Sequence, residues 1–181
     1  MIVKKTGLIF FAAVTLAFFA IAIAFYSLNP FLDGGRKSFE QIQPGETSLT
    51  ELKKDLGEPV QTEKTQGTEL LYYPTQSKYY QNSVALEGEK ILYTRRFFPT
   101  PLSFKEYKSS YGDPDLVLYD NETEGSQWLV YLRRGIAFNV EGNEIFQVIR
   151  FSPTDKKTFI KISIVVGLSE NKPEGTIEEP E

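Results

Sequence analysis

The feature that most constrains this chain is a stretch written twice, SLTELKKDLGEP at 48–59 and SFKEYKSSYGDP at 103–114. Offset by 55 positions, Ser48 falls on Ser103, Glu51 on Glu106, Lys53 on Lys108, Gly57 on Gly112 and Pro59 on Pro114. Each match has a helix-building reason. Ser followed three residues later by Glu is a capping box, in which each side chain satisfies an orphan backbone amide of the other residue. Gly at the far end suits a left-handed C-terminal cap, and Pro just beyond forbids continuation. Between the caps, Leu49, Leu52 and Leu56 fall at i, i+3 and i+7, as do Phe104, Tyr107 and Tyr111. The spacing predicts one short helix per copy, each with a single apolar stripe and too short to be stable without a surface to pack on.

The segments after each copy predict that surface. VQTEK, TELLYYP, NSVALEG and EKILYTRRFFP follow the first; LVLYD, SQWLVYLRR, GIAFNVEG and NEIFQVIRFSP follow the second. They are short, rich in β-branched and aromatic residues, and separated by Gly, Asn and Asp, the signature of antiparallel strands joined by hairpins. The match returns at an offset of 54, with Gly88 on Gly142, Ile91 on Ile145, Arg96 on Arg150 and Phe97 on Phe151. TFIKISIVVGL, after Pro153, reads as one further strand. The expected fold is therefore α+β: a tandem repeat of a short helix followed by an antiparallel sheet of about four strands, with units at 39–99 and 100–168 that share an interface or one continuous sheet.

Ahead of the first unit, Lys4 and Lys5 precede an uncharged run at 7–28. About 22 residues of helix would be roughly 33 Å long, enough to cross a bilayer core. The expectation is a transmembrane signal anchor at 1–28, since the apolar core of a cleaved leader is usually about 7–15 residues. The alternative is cleavage, for which the alternating Ala20, Ala22 and Ala24 offer small residues. Lys4 and Lys5 orient the rest of the chain away from the cytoplasm. A linker at 29–38 contains Pro30, Gly34 and Gly35, and an acidic tail at 169–181 is too poor in apolar residues to order itself.

Composition narrows the chemistry. The 181 residues contain neither Cys nor His, which removes disulfides, thiolate sites and the commonest general base and metal ligand. A net charge of −4 argues against a nucleic-acid partner. No Gly-x-Ser-x-Gly elbow, Ser-x-x-Lys dyad or phosphate loop is present, so no catalysis, cofactor or metal is expected. The carboxylate-rich stretch YDNETEGS at 119–126 reads as a polar hairpin loop, because it lacks the ligand spacing of a calcium loop. Asn121 also begins a glycosylation-type triplet.

IQPGETSLTELKKDLGEP followed by ELLYY resembles the outer-membrane assembly domains of the SmpA/OmlA (BamE) type. The doubling of a helix-plus-sheet unit over about 40–153 resembles the β-lactamase inhibitor protein fold. The resemblance implies a periplasmic or extracellular binding and assembly module without catalysis. The expected function is a membrane-anchored, extracytoplasmic protein-interaction module, such as one in envelope or membrane-protein assembly. The alternatives are an envelope-polymer or small-ligand sensor and a hydrolase-inhibitor-like binding protein.

Tyr72, Tyr73, Trp128, Tyr131, Phe138 and Phe146 read as sheet core, and Tyr79 and Tyr80 as loop. Alternation along the last strand of each unit places Ile91, Tyr93 and Phe97 on one face, with Ile145, Gln147 and Phe151. That face is expected under the helices. The opposite, open face would carry Leu92, Thr94 and Arg96 with Phe146, Val148 and Arg150. Since Arg and aromatic residues are enriched at protein interfaces, Leu92, Arg96, Phe146 and Arg150 are the candidate partner-binding residues, the alternative being that Arg96 and Arg150 form ordinary surface ion pairs worth little.

Overall fold

Helix α1 (Leu49–Leu56) begins where the capping box predicts. The Glu51 amide donates to the Ser48 hydroxyl at 3.2 Å, and the Ser48 amide donates to the Glu51 carboxylate at 2.9 Å. Helix α2 (Phe104–Tyr111) starts differently. Ser103 makes no side-chain cap, and the Phe104 amide instead donates to the Asn143 carbonyl at 2.8 Å. A tertiary contact thus does what the second capping box was expected to do. The computed structural model describes residues 38–65, 67–77, 79–120 and 126–172.

Among the described residues nine strands follow in chain order: β1 (Gln61–Thr65), β2 (Thr68–Tyr73), β3 (Asn82–Glu87), β4 (Lys90–Ser103), β5 (Leu116–Asp120), β6 (Gln127–Tyr131), β7 (Ile136–Glu141), β8 (Glu144–Phe151) and β9 (Leu168–Ser169). They form one sheet, in the order β1-β2-β3-β4-β8-β7-β6-β5-β9, and every neighbouring pair is antiparallel. This corrects the expected tandem of four-stranded units. Strand β4 is 14 residues long and pairs with β3 along one edge and with β8 along the other, from Tyr93↔Phe151 to Ser103↔Glu144. Two separate sheets would each leave an unpaired edge at that position, and pairing removes both. The boundary expected between 99 and 100 falls inside β4.

The second correction is α3 (Lys156–Val166), which occupies the segment read as a strand. Asp155 caps its start by accepting from the Thr158 amide at 2.8 Å, and Gly167 ends it in the left-handed conformation. Phe159, Ile162 and Val166 share one stripe, which covers the sheet face bearing Trp128, Ile149 and Phe151. The Phe159 ring lies 4.6 Å from that of Phe151. On the other face, α1 packs over Leu71, Val84 and Ile91. There α2 packs over Phe138, Ile145 and Val148. The sheet is therefore covered on both sides.

The transmembrane anchor expected at 1–28 has no counterpart among the described residues, which do not include it. Among the described residues no helix is long and apolar enough to cross a membrane, and the longest helix, α3, has 11 residues. The run 7–28 and most of the linker lie outside the described residues, as does the tail from 173 onward.

Candidate functional site

Two β-bulges decide which side chains share a face. Ala85 pairs with Tyr93 but Leu86 pairs with Ile91, so Leu92 is an extra residue in β4. Likewise Asn139 pairs with Gln147 but Val140 with Ile145, so Phe146 is extra in β8. A bulge reverses the alternation beyond it. Ile91 consequently lies on the α1 side while Leu92 packs into the core under α3. Thr94, Arg96 and Phe98 then return to the side of α1 and α2.

The four candidate residues are thereby separated. Leu92 is half-buried against the α3 core, and Phe146 sits at its bulge across from the irregular stretch 98–101 of β4. Arg96 and Arg150 are brought together, on the helix-bearing face rather than an open one. Arg96 pairs across the seam with Val148, and Arg150 with Thr94, so the two guanidinium groups are diagonal neighbours. Both line a cleft of about 360 Å³ between α2 and the short 3-10 turn Phe39–Gln41.

The floor of the cleft is apolar: Phe98, Leu102, Ile136, Phe138, Ile145 and Val148. Tyr107 and Tyr111 form one wall, Phe39 and Glu40 the other. Phe138 organises the rings around it. Tyr111 meets it edge-on at 5.0 Å, Tyr107 at 5.5 Å and Tyr131 at 6.0 Å. The Tyr131 hydroxyl donates to the Gly112 carbonyl at 3.1 Å, tying the end of α2 to the sheet. Arg134 stacks over Tyr111 at 4.6 Å.

Charge in the cleft is unbalanced. Arg96 forms an ion pair and hydrogen bond with Glu40, and its guanidinium lies 4.8 Å over the Phe98 ring. Burial, and then the neighbouring Arg150 charge, hold the Arg96 pKa below its ordinary value, with Tyr107 opposing. The Arg150 guanidinium has no ion pair or hydrogen bond among the described residues. Among the described residues, two cations thus line a cleft with one carboxylate, which pairs with Arg96 alone. A planar guanidinium beside an apolar floor suits an oxyanion attached to an apolar group.

Glu40, Phe98, Tyr107, Tyr111 and Phe138 enter the site without having been nominated for it. The i, i+4 spacing of Tyr107 and Tyr111 and the closeness of Phe98 to Arg96 are signals the sequence contains. Glu40, which lies 56 positions from Arg96, offers none. Of the expected core aromatics, Tyr73, Trp128, Tyr131 and Phe138 are buried, whereas Tyr72 and Phe146 are half-buried. Among the described residues, Trp128 Nε1 and the Tyr73 hydroxyl are buried without a hydrogen-bond partner, and burial pushes the Tyr73 pKa up to about 12, with Glu58 adding to it. Tyr79 and Tyr80 are exposed, and Tyr80 stacks on Phe97 at 5.0 Å. Among the described residues no group of acidic side chains is placed to hold a metal, and 121–125 lie outside them.

No protein-family model matches this chain, and no curated protein matches it. The expected kinship with the SmpA/OmlA type thus finds no support there, and the tandem arrangement it was coupled with is replaced by one sheet. A crystal structure of a cysteine-rich secretory protein from Staphylococcus aureus is similar over 77% of this chain, with 9% identity and a TM-score of 0.43. The chain spans 55% of that protein. A likeness of that size establishes neither a shared fold nor a shared activity.

Proposed function

We propose that this chain is a protein-interaction module acting outside the cytoplasm, and that its partner docks in the cleft between α2 and the turn Phe39–Gln41. One observation carries the reading: two arginines share a ring-lined cleft in which only one of them has a carboxylate. Arg and aromatic side chains around a desolvated depression are the residue types that dominate protein binding energy. The cleft is also at the small end of the range for ligand pockets, about 300–1,000 Å³, so a small-ligand or polymer sensor is the competing reading. Placement outside the cytoplasm rests on sequence alone, on Lys4 and Lys5 ahead of the uncharged run 7–28.

A photo-cross-linking side chain at position 107, in cells that express the full chain, tests the interaction. A discrete protein adduct is expected from 107 and not from a second probe at Lys64, on the exposed edge strand β1. No protein adduct from 107, or the same adducts from both positions, overturns the reading. External protease applied to intact cells tests the placement, and full protection of the folded part overturns it.

A further inference from the structure

Resting on the interaction reading, we propose that the cleft takes an acidic peptide segment whose carboxylate seats on Arg150 and whose neighbouring apolar side chain lies on the ring floor, with Glu40 acting as an internal competitor on Arg96. The argument is one of charge and shape. Arg96 and Arg150 point into the same cleft from adjacent strands, and among the described residues Glu40 is the only acid that lines it. A half-buried guanidinium without an anion has given up part of its hydration and gained no partner in return, so it is a ready site for an incoming anion. An incoming carboxylate accepts two parallel N–H bonds from a guanidinium fork, which fixes its orientation as well as its charge.

The chain carries a net charge of −4, so this positive spot is local and does not belong to a basic surface of the kind that holds nucleic acid. The floor decides between a peptide and an anionic polymer. Phe98, Leu102 and Tyr107, each only partly buried, offer apolar area directly beside the arginines. A segment with an acidic residue next to Phe or Leu can use both features, whereas a polyanion would use only the charge.

Glu40 gives the proposal a sign. Its side chain is 53% exposed and comes from a three-residue turn, so it can leave Arg96 without disturbing the sheet. Until it leaves, it lowers the positive potential that the ligand meets. Removing its charge therefore strengthens binding, while removing that of Arg150 weakens it.

The test is a random-peptide library selected on the immobilised full chain, followed by affinity measurements on the selected peptides. Enrichment of Asp or Glu adjacent to Phe or Leu is expected. Changing the acid to its amide, or Arg150→Gln in the protein, should each weaken binding about tenfold or more. Arg150→Lys should give an intermediate loss, since it keeps the charge and loses the fork. Glu40→Gln should tighten binding severalfold. Selection of acid-free peptides, equal binding of acid and amide forms, weaker binding by Glu40→Gln, or binding of inorganic polyphosphate through these arginines without any acidic peptide overturns the proposal. A protein adduct from position 107 together with acid-indifferent peptides removes this chemistry and leaves the interaction reading standing. Acid-selective peptides without a cellular adduct do the reverse.

Discussion

Gly57 and Gly112 end their helices with φ of 81° and 70° and ψ of −165° and −151°. The sequence motif predicts the left-handed helical cap, but these ψ values put both residues in an extended region with positive φ that is essentially reserved for glycine. An added Cβ would meet nothing within 4 Å at either position, so the penalty for a side chain there is confined to the backbone. Gly57→Ala and Gly112→Ala should each destabilise the protein by about 1–3 kcal/mol, the usual cost of holding such a conformation. Urea denaturation of the single variants checks this, and a neutral result at both positions would mean that the helix ends relax at no cost. The candidate site shows the same mixture of legible and hidden features. Arg96 and Arg150 are visible as a matched pair because Arg recurs at the same place in both copies. Their facing is not visible, since it depends on Leu92 and Phe146 being extra residues. An extra residue in one strand can be recognised only once the partner strand is known.

At the level of elements, α3 departs furthest from the sequence expectation. Thr158, Ile160, Ile162, Ile164, Val165 and Val166 favour strand by local propensity. The helix prevails because its stripe covers a sheet face that would otherwise expose Trp128, Ile149 and Phe151, and because both its ends are specified. The amino-acid sequence does contain the signals for it: Asp155 and Gly167 as caps, and the helical spacing of Phe159, Ile162 and Val166. A strand in this segment would leave one sheet face uncovered, and on that premise the arginine pair belongs on an open face. The Asp155 cap has a testable pH signature. The Thr158 amide, first among its causes, holds the Asp155 pKa below its ordinary 3.8. A depressed folded-state value means that the charged cap stabilises α3 above the unfolded pKa, and that this contribution is lost as pH falls through the lower, folded one. Asp155→Asn keeps an N-cap acceptor but cannot titrate. The stability difference between wild type and Asp155→Asn should therefore be constant above pH 3.8 and decrease in more acidic solution. Urea midpoints of the two proteins measured across that range check it. A difference independent of pH would show that the carboxylate charge contributes nothing to the helix.

On the scale of the whole molecule, the seam between β4 and β8 turns two similar stretches of sequence into one body. Strand β4 contributes Tyr93 to the core under α3 and Ile91 to the core under α1, one residue on either side of its bulge. Strand β8 does likewise, with Ile149 facing α3 and Ile145 facing α2. The three cores thus share backbone through these two central strands, and loss of one core removes support from the others. Unfolding is expected to be a single cooperative transition. Leu52 in α1 and Phe159 in α3 are both fully enclosed, at 0% and 1% exposure, and belong to different cores. Leu52→Ala should cost about 2–5 kcal/mol and Phe159→Ala about 3–5 kcal/mol. Each should move the same, sole denaturation transition of the described unit, whether it is followed by circular dichroism or by the fluorescence of Trp128. Amide exchange should be slowest along β4 and β8, because their hydrogen bonds open only when the shared sheet does. Two separate transitions, one moved by Leu52→Ala and the other by Phe159→Ala, would mean that the halves of the sheet fold independently and that the seam holds together what it does not stabilise.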